Sequence, residues 1–462
     1  MKYISTRGKC PAQNFEEVLL TGLAPDGGLY IPESIPQVSA EQLEQWKSLP
    51  YADLAYEIIK LYVADCMPGG DLKRIINKTY AVFSHDEVAP VRRLQDGEYV
   101  LELFHGPTLA FKDFALQLLG RLLDYFLERR KKNVAILGAT SGDTGSAALE
   151  GCRHCEYVDM YILYPHNRVS EVQRRQMTTV SGINVNSLAL EGNFDDCQNI
   201  VKRAFADQSF LPEDYQLVAV NSINFCRIMA QIVYYFYAGL KFLGDASAVS
   251  FSVPTGNFGD IYAGYLAKKM GLPVDRLVIA TNKNDILHRF ISSNQYNLGP
   301  LEPSLSPSMD IMVSSNFERF LFDLFKGDTD RVESFVTSLS NNAQQVSETE
   351  WNRAKRVFDS CRVDDDTTCA TIREVYDDFG YVLDPHTATG IKAGRECKGE
   401  SESPMICLAT AHPAKFSEAI ERAGLHTPPL PAHLADLMSR EERMTILPAS
   451  LEAVTGFIQE TL

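Results

Sequence analysis

Basic residues are in short supply in this chain of 462 residues: 44 Lys and Arg stand against 60 Asp and Glu, which gives a formal net charge of −16. Binding to a nucleic-acid backbone requires a basic face, so this balance argues against a nucleic-acid partner. It does not exclude a small anion, because a few buried donors can hold one phosphate whatever the overall charge. A small-molecule ligand therefore remains open.

Long apolar runs are missing as well. The longest, such as residues 232–240, are about half as long as a segment that spans a bilayer. The N-terminus shows no charged-then-apolar leader. We therefore expect no membrane partner and a cytoplasmic location. At 462 residues the chain is also too long for one compact core, so two or three domains are expected.

Motifs that bind metals are not found. The nine histidines show no HExxH or similar pairing. The ten cysteines are scattered, which in a cytosolic chain is typical of buried free thiols. One pair, Cys152 and Cys155, has the spacing of a metal or redox site, but no second pair accompanies it. We predict no metal.

The chain divides into two parts by pattern. Residues 1–95 carry helical periodicity at 40–46 and 51–63, and nothing in them indicates chemistry. Later in the chain, short apolar runs alternate with helical stretches, which predicts parallel sheets covered on both faces. The clearest helix in this part is 114–130. The candidate strands are 134–137, 158–163, 185–190, 217–220, 249–253, 277–280 and 405–408.

A lysine lies just inside the start of a predicted helix, in the segment HGPTLAFKDF. Lys112 follows a phenylalanine and precedes an aspartate and another phenylalanine. Among aromatic side chains, and near the positive end of a helix, its pKa should fall. A neutral amine is what imine formation requires. The alternative is a lysine at a helix edge whose charged end reaches solvent.

Two glycine-rich loops each lie between a predicted strand and a helix: GATSGDTG at 138–145 and PTGNFGD at 254–260. Free backbone N–H groups at a helix N-terminus bind anions. Two such loops suggest two anionic groups at the carboxyl edge of a sheet. The first loop matches neither the dinucleotide-binding nor the P-loop pattern. Two ordinary strand-to-helix turns remain the alternative.

A fourth segment, LATAHPAKF, ends the last predicted strand. The hydroxyl of Thr410 at the end of this strand could contact a ring nitrogen as a neutral partner. The alternative is that Thr410 is a strand-edge residue, and that His412 and Pro413 only form a turn.

These four segments occur in order, together with NSIN before Arg227 and with MKYISTRG and DGGLYIP near the N-terminus. As a set they resemble the threonine synthase family, and the resemblance extends from residue 1 to about residue 440. It implies an α/β protein of pyridoxal-phosphate fold type II. Two parallel-sheet α/β domains would form residues 96–462 and hold pyridoxal 5'-phosphate (PLP) between them. A small N-terminal domain would span residues 1–95.

The resemblance also implies roles for individual residues, with Lys112 as the catalytic residue that forms an imine with PLP. The other residues implied to bind the cofactor are Gly256, Asn257, Phe258, Asp260 and Thr410. The residues implied to bind the substrate are Ser141, Gly142, Asp143 and Thr144 at its carboxylate and Asn224 and Arg227 at its phosphate, with Arg168 a weaker candidate. A neutral hydroxyl at Thr410 would leave the ring nitrogen of PLP less often protonated than a carboxylate would.

The implied reaction converts O-phospho-L-homoserine and water to L-threonine and phosphate, by γ-elimination and then β-addition of water. The chain would then be a carbon–oxygen lyase. A phospho-lyase with the same fold would instead release 2-oxobutyrate, ammonia and phosphate. A non-catalytic ligand-binding relative is the alternative from another class, and the presence of Lys112 argues against it. The sequence gives neither the oligomeric state nor any regulator.

Overall fold

The computed structural model describes residues 1–140, 142–339 and 342–462. Ser141, one of the residues predicted to bind the substrate, lies outside this description. The strands are β1 (Tyr3–Ser5), β2 (Tyr30–Pro32), β3 (Val91–Gln95), β4 (Glu98–Glu102), β5 (Asn133–Ala139), β6 (Val158–Pro165), β7 (Val185–Glu191), β8 (Tyr215–Val218), β9 (Val249–Pro254), β10 (Val274–Thr281), β11 (Phe358–Arg362), β12 (Met405–Ala409) and β13 (Thr445–Pro448).

Helices separate most of these strands. They are α1 (Phe15–Thr21), α2 (Ala40–Trp46), α3 (Tyr51–Val63), α4 (Gly69–Tyr80), α5 (Lys112–Arg130), α6 (Asp143–Cys152), α7 (Glu171–Thr178), α8 (Phe194–Ala206), α9 (Phe225–Leu240), α10 (Gly259–Met270), α11 (Ile286–Ser293), α12 (Phe317–Leu324), α13 (Thr329–Ser338), α14 (Glu348–Lys355), α15 (Asp365–Phe379), α16 (Pro385–Lys398), α17 (Ser417–Arg422) and α18 (Leu451–Thr461).

Two sheets form the body of the protein. One has six strands in the order β11-β10-β9-β12-β4-β3, and all neighbours are parallel except the β3–β4 hairpin. The other has five strands in the order β13-β7-β6-β5-β8 and is parallel throughout. A small antiparallel pair, β1 and β2, lies in the N-terminal part. The predicted α/β class with two parallel sheets is confirmed.

The chain crosses between the two sheets three times: at α5, at α9, and between β12 and β13. After β4 in the six-stranded sheet, α5 leads to β5–β8 in the five-stranded sheet, and α9 leads back to β9. Both helices are largely buried, and they pack against each other. The predicted helix at 114–130 is α5, which begins two residues earlier, at Lys112. Lys112 and Arg227 therefore both lie in the first turn of a crossover helix.

The N-terminal helices pack on the same crossover helices. The ring of Tyr3 lies 5.2 Å from that of Phe225 in α9, in an edge-on contact. The fully buried Arg319 donates from Nε to the backbone oxygen of Tyr30 at 3.0 Å. Since β3 (Val91–Gln95) already belongs to the six-stranded sheet, the predicted boundary at residue 95 falls at the end of a sheet strand. That boundary stays a prediction.

Two findings concern membranes and metals. In the described ranges no helix is both long enough and apolar enough to cross a bilayer. Among the same residues no three His, Cys, Asp or Glu side chains come together as a metal site. Cys152 and Cys155 are both free thiols, and Cys155 Sγ donates to the backbone oxygen of Gly120 at 3.3 Å.

Candidate active site

The predicted chemical segments all follow carboxyl ends of parallel strands. In the six-stranded sheet they follow β4, β9 and β12, and in the five-stranded sheet they follow β5 and β8. The carboxyl ends of parallel strands are where ligands bind in α/β proteins. A backbone hydrogen bond of 2.9 Å from Phe111 to Thr410 joins two of these segments. The contacts of Asp143 with Lys112 and Lys415 connect the first glycine loop to the same two segments.

Lys112 is the first residue of α5, and its side chain is only 10% exposed. Its Nζ lies 3.4 Å from Asp143 Oδ2 and 4.9 Å from the ring centroid of Phe111. Burial lowers the pKa of Lys112, and the nearby cations Lys415 and Arg227 lower it further, although Asp143 opposes them. The amine therefore loses its proton more readily than an exposed lysine does.

Asp143 begins α6 and connects two lysines. Its Oδ1 lies 2.7 Å from Lys415 Nζ and accepts from Gln173 Nε2 at 2.9 Å, while its Oδ2 faces Lys112. Burial disfavours the charged carboxylate, but Lys415 and Lys112 outweigh burial and lower the pKa of Asp143. The carboxylate is therefore charged and held by cations on two sides.

The backbone of the first glycine loop is held by Thr140. Its Oγ1 accepts from the N–H groups of Gly142 at 3.0 Å and Gly145 at 2.9 Å. Gly142 has φ +143°, and a Cβ there would lie 2.5 Å from the side-chain carbon Cδ of Gln173. Glycine is therefore required at this position. The N–H groups of Asp143 and Thr144 lie in the first turn of α6, where the helix offers them no acceptor.

The second glycine loop follows β9 and leads into α10. A Cβ at Gly256 would lie 2.9 Å from Ile311 Cδ1, and Phe258 has a left-handed φ of +66°. Asn257 Oδ1 accepts from the N–H of Gly259 at 2.9 Å. In the described part of the chain, the N–H groups of Gly256, Asn257 and Phe258 donate to no protein acceptor. Three free donors before a helix N-terminus suit a phosphate group.

Asp260 lies in the first turn of α10 and is buried. Its carboxylate accepts from the hydroxyls of Tyr234 at 2.6 Å and Tyr235 at 2.8 Å, both in α9, and its Oδ2 has no partner among the described residues. Burial raises the pKa of Asp260 to about 6, although both tyrosines and Lys112 act to lower it. The contacts of this side chain therefore fix α10 against α9.

Thr410 is the residue that follows β12, and it is 6% exposed. Its backbone oxygen accepts from Phe111, next to Lys112, at 2.9 Å. Its hydroxyl makes no hydrogen bond to any residue that the structure describes. The site of Lys112 thus has a buried hydroxyl nearby that is free to take a ligand.

The two residues predicted to bind the substrate phosphate at the start of α9 have different surroundings. Arg227 is 4% exposed, and its guanidinium makes one hydrogen bond of 3.4 Å, to the backbone oxygen of Val220. Its Nε has no partner within the described ranges, and burial lowers its pKa to about 10. Asn224 instead caps α9 with its Oδ1 and donates from Nδ2 to Leu19 O at 2.9 Å. Arg168 is exposed.

The structure adds to the site residues that were not predicted to belong to it. Ser308, His386 and Asp384 lie outside the recognised motifs, and Lys415 lies inside one but was given no role. Ser308 Oγ donates to Asp143 Oδ2 at 3.4 Å, and its N–H donates to His386 Nε2 at 3.2 Å. His386 Nδ1 in turn lies 2.8 Å from Asp384 Oδ1, and both side chains are buried. Lys415, within the recognised TAHPAKF segment, is fully buried and is the nearer of the two lysines to Asp143.

A cavity of about 910 Å³ adjoins the site. Thr140 and Thr144 of the first glycine loop line one side of it, and Val220 and Asn221 line another. Residues of the N-terminal part, around Leu23, also line the cavity. The N-terminal part therefore forms a wall of the space beside the predicted substrate loop.

The residues present fit PLP, which carries an aldehyde, a phosphate and a pyridine nitrogen. A buried lysine of lowered pKa suits the aldehyde, and the three free N–H groups of Gly256, Asn257 and Phe258 suit the phosphate. The hydroxyl of Thr410 suits the ring nitrogen. These groups come from three segments that follow β4, β9 and β12, at the carboxyl edge of the six-stranded sheet.

Comparison with known proteins covers almost the whole chain. Three family models match the chain. The model described as threonine synthase N terminus matches residues 2–80, and the model described as pyridoxal-phosphate dependent enzyme matches residues 89–410. The model described as threonine synthase, C-terminal, matches residues 387–458. Threonine synthase of Pseudomonas aeruginosa is 59% identical over 462 residues, which is 100% of this chain and 98% of the relative.

Solved structures of threonine synthases also match over the full length of the chain. The PLP-bound threonine synthase of Brucella melitensis superposes with a TM-score of 0.97 at 47% identity, over 100% of this chain and 99% of that one. Yeast threonine synthase superposes with a TM-score of 0.95 at 43% identity, over 100% and 98% of the two chains.

Proposed function

This chain belongs to the threonine synthase family, and from that premise we propose which of its residues carry the reaction. It is a PLP-dependent lyase that converts O-phospho-L-homoserine and water to L-threonine and phosphate. The observation that supports our assignment is the buried pair of Lys112 and Asp143, with a free hydroxyl and free backbone donors around it.

Lys112 acts as the base in this assignment. PLP, when bound, supplies the electron sink for the charge that is left when the proton at Cα of the substrate is removed. The lowered pKa of Lys112 favours its neutral amine, which takes that proton at Nζ. The contact with Asp143 Oδ2 holds Nζ in place between transfers.

The first glycine loop binds the substrate carboxylate with backbone donors. The N–H groups of Asp143 and Thr144, at the N-terminus of α6, carry the positive end of the helix dipole. The Asp143 side chain would repel a carboxylate, so we assign it to the two lysines instead. Gly142 permits the turn, and Ser141 keeps its predicted role as a proposal.

Arg227 binds the substrate phosphate. Lys415 and Arg227 are cations close to Lys112, and Asp143 forms an ion pair with Lys415 at 2.7 Å. Arg227 pairs with no carboxylate among the described residues, so in a protein with a net charge of −16 it supplies the local positive charge that a phosphorylated substrate requires. Asn224 supports Arg227 by capping α9 rather than by a charge of its own.

Ser308 is assigned to hold the water that adds at Cβ, because its hydroxyl lies beside Asp143 in the site. We expect Ser308→Ala to lower the ratio of threonine to 2-oxobutyrate by roughly fivefold, the effect of one lost hydrogen bond. Both products are measured in the same reaction. Ser292→Ala, in an exposed part of α11, is the control. An unchanged ratio would show that Ser308 does not hold this water.

Thr410→Val should keep PLP bound but shift its absorbance and slow removal of the Cα proton. The hydroxyl lost is the one that we assign to the ring nitrogen, and valine keeps the shape of the side chain. The measurements are cofactor content, the absorbance spectrum and exchange of the Cα proton in deuterated water. If spectrum and exchange rate both match those of the parent, Thr410 has no contact with the ring.

The function is tested by incubating the PLP-loaded protein with O-phospho-L-homoserine and assaying phosphate, threonine and 2-oxobutyrate separately. Equal amounts of phosphate and threonine support threonine synthesis. Phosphate with 2-oxobutyrate in place of threonine would indicate the phospho-lyase. No phosphate at all would indicate a ligand-binding relative. The cytoplasmic location and the lack of a nucleic-acid partner remain proposals that rest on the sequence alone.

A further inference from the structure

A second cavity, of about 370 Å³, lies between α4, α5 and α6. Its volume falls in the range of small-molecule sites. Its lining residues include Gln117 and Arg121 of α5 and Glu150 of α6, and none of the residues assigned above to the reaction.

One buried donor of this cavity has no acceptor among the described residues. Gln117 is 2% exposed, and its Nε2 has no hydrogen-bond partner among the described residues. Arg121 donates from NH1 to Gln117 O at 2.7 Å and to Gln117 Oε1 at 2.8 Å. In the described ranges no carboxylate lies within ion-pair distance of Arg121. Buried donors without acceptors are costly, so an anionic ligand would stabilise them.

The cavity also offers carboxylates. Asp124 Oδ1 accepts from the N–H groups of Glu156 at 2.8 Å and Tyr157 at 3.3 Å, and neither bond involves its Oδ2. Glu150 forms an ion pair of 3.1 Å with Arg153. Burial raises the pKa of both carboxyl groups, because it disfavours their charged form. A cation bound beside them would offset this effect of burial. Positive and negative groups thus face one small space.

We propose that this cavity binds a free α-amino acid as a zwitterion. Arg121 and Gln117 Nε2 bind its carboxylate, and Asp124 Oδ2 and Glu150 bind its ammonium group. A simple anion such as phosphate would meet the two carboxylates, and a simple cation would meet Arg121 and also Lys78 and Arg153, which line the same cavity. A ligand that carries both charges satisfies both sets of groups.

The cavity is connected to the active site through two helices. α5 and α6 touch beside it at Gly120 and Gly151, where a Cβ on Gly120 would lie 2.4 Å from the backbone oxygen of Gly151. The same helices begin at Lys112 and Asp143. The bound amino acid therefore contacts the elements that position the catalytic pair, from about one and a half turns along α5 and about two turns along α6.

The test titrates the PLP-loaded protein with L-alanine by calorimetry, while absorbance follows any reaction at the cofactor. We expect Arg121→Leu and Gln117→Leu each to weaken, by about tenfold or more, a binding event that leaves the cofactor spectrum unchanged. Arg129→Leu, on the exposed end of α5, is the matched control and keeps the parent affinity. Turnover of O-phospho-L-homoserine should stay at the parent rate in all three variants.

Three results would overturn the proposal. The first is that L-alanine binds only where the cofactor spectrum changes. The second is that both pocket variants keep the parent affinity. The third is that N-acetyl-L-alanine or inorganic phosphate binds as tightly as L-alanine, since neither carries an ammonium group. If Arg121→Leu does not fold, judged by circular dichroism, Gln117→Leu decides alone.

Discussion

Lys112→Ala is expected to lower the rate of threonine formation by about 10⁴-fold or more, since it removes both the base and the covalent attachment point of the cofactor. The measurements are the initial rate with O-phospho-L-homoserine and the mass of the peptide that contains residue 112 after borohydride reduction. The parent should show a PLP adduct on this peptide, and the variant should show none. Activity of the variant close to that of the parent would remove Lys112 from the reaction.

Lys112→Arg is the matched variant for this experiment. Arginine keeps a cation beside Asp143 but stays protonated and forms no imine, so it should be as inactive as alanine. Both variants should fold, because Asp143 keeps Lys415 at 2.7 Å and Gln173 at 2.9 Å. Their melting temperatures therefore show whether the loss of activity is chemical. An active Lys112→Arg protein would mean that charge alone is required at this position.

Most of the strands that matter for the site could be predicted from the sequence, but β4 (Glu98–Glu102), which precedes the Lys112 segment, was not among those predicted. In parallel sheets with both faces covered, a strand is a short apolar run, and β9 (Val249–Pro254) is buried at every position. Each glycine loop comes directly after an apolar run in the sequence. Its place at the carboxyl edge of a sheet could therefore be predicted from the order of the segments alone. All seven predicted strands are confirmed, with small shifts at their ends.

The strands that were missed lie at or near sheet edges. β3 (Val91–Gln95) has the sequence VRRLQ and β11 (Phe358–Arg362) has the sequence FDSCR, and both are half-exposed. An edge strand is covered on fewer sides, so it keeps polar residues and loses the apolar run that marks a central strand. β13 (Thr445–Pro448) is short and returns from a distant part of the chain, which local pattern does not reveal.

Within the site, contacts between distant segments were the part that sequence could not supply. Asp143 and Lys415 form an ion pair across 272 positions of the chain, and Ser308 reaches the same carboxylate from a segment without a recognised motif. The N-terminal part was predicted to carry no chemistry. Its backbone oxygen at Leu19 nevertheless holds Asn224, next to α9. Such contacts depend on packing, which only the folded chain defines.

Arg227 is the residue on which the choice of substrate depends. Its guanidinium is buried and makes one backbone contact of 3.4 Å, and among the described residues its Nε has no partner and its charge no counter-ion. An unpaired buried charge destabilises a fold, so Arg227→Leu should leave the free energy of unfolding unchanged or raise it. A structural arginine would behave in the opposite way, because its removal would break contacts that hold the fold.

Arg227→Leu should cost about 2–5 kcal/mol in kcat/KM for O-phospho-L-homoserine, the scale of losing one partner of a desolvated charge pair. Cofactor content should not change, because the PLP phosphate is assigned to the loop at 256–258. A slow side reaction with L-serine should lose far less, since serine has no phosphate. Arg168→Leu, at an exposed position, is the control and should keep parent activity. If Arg227→Leu lowers both reactions equally, Arg227 does not bind the substrate phosphate.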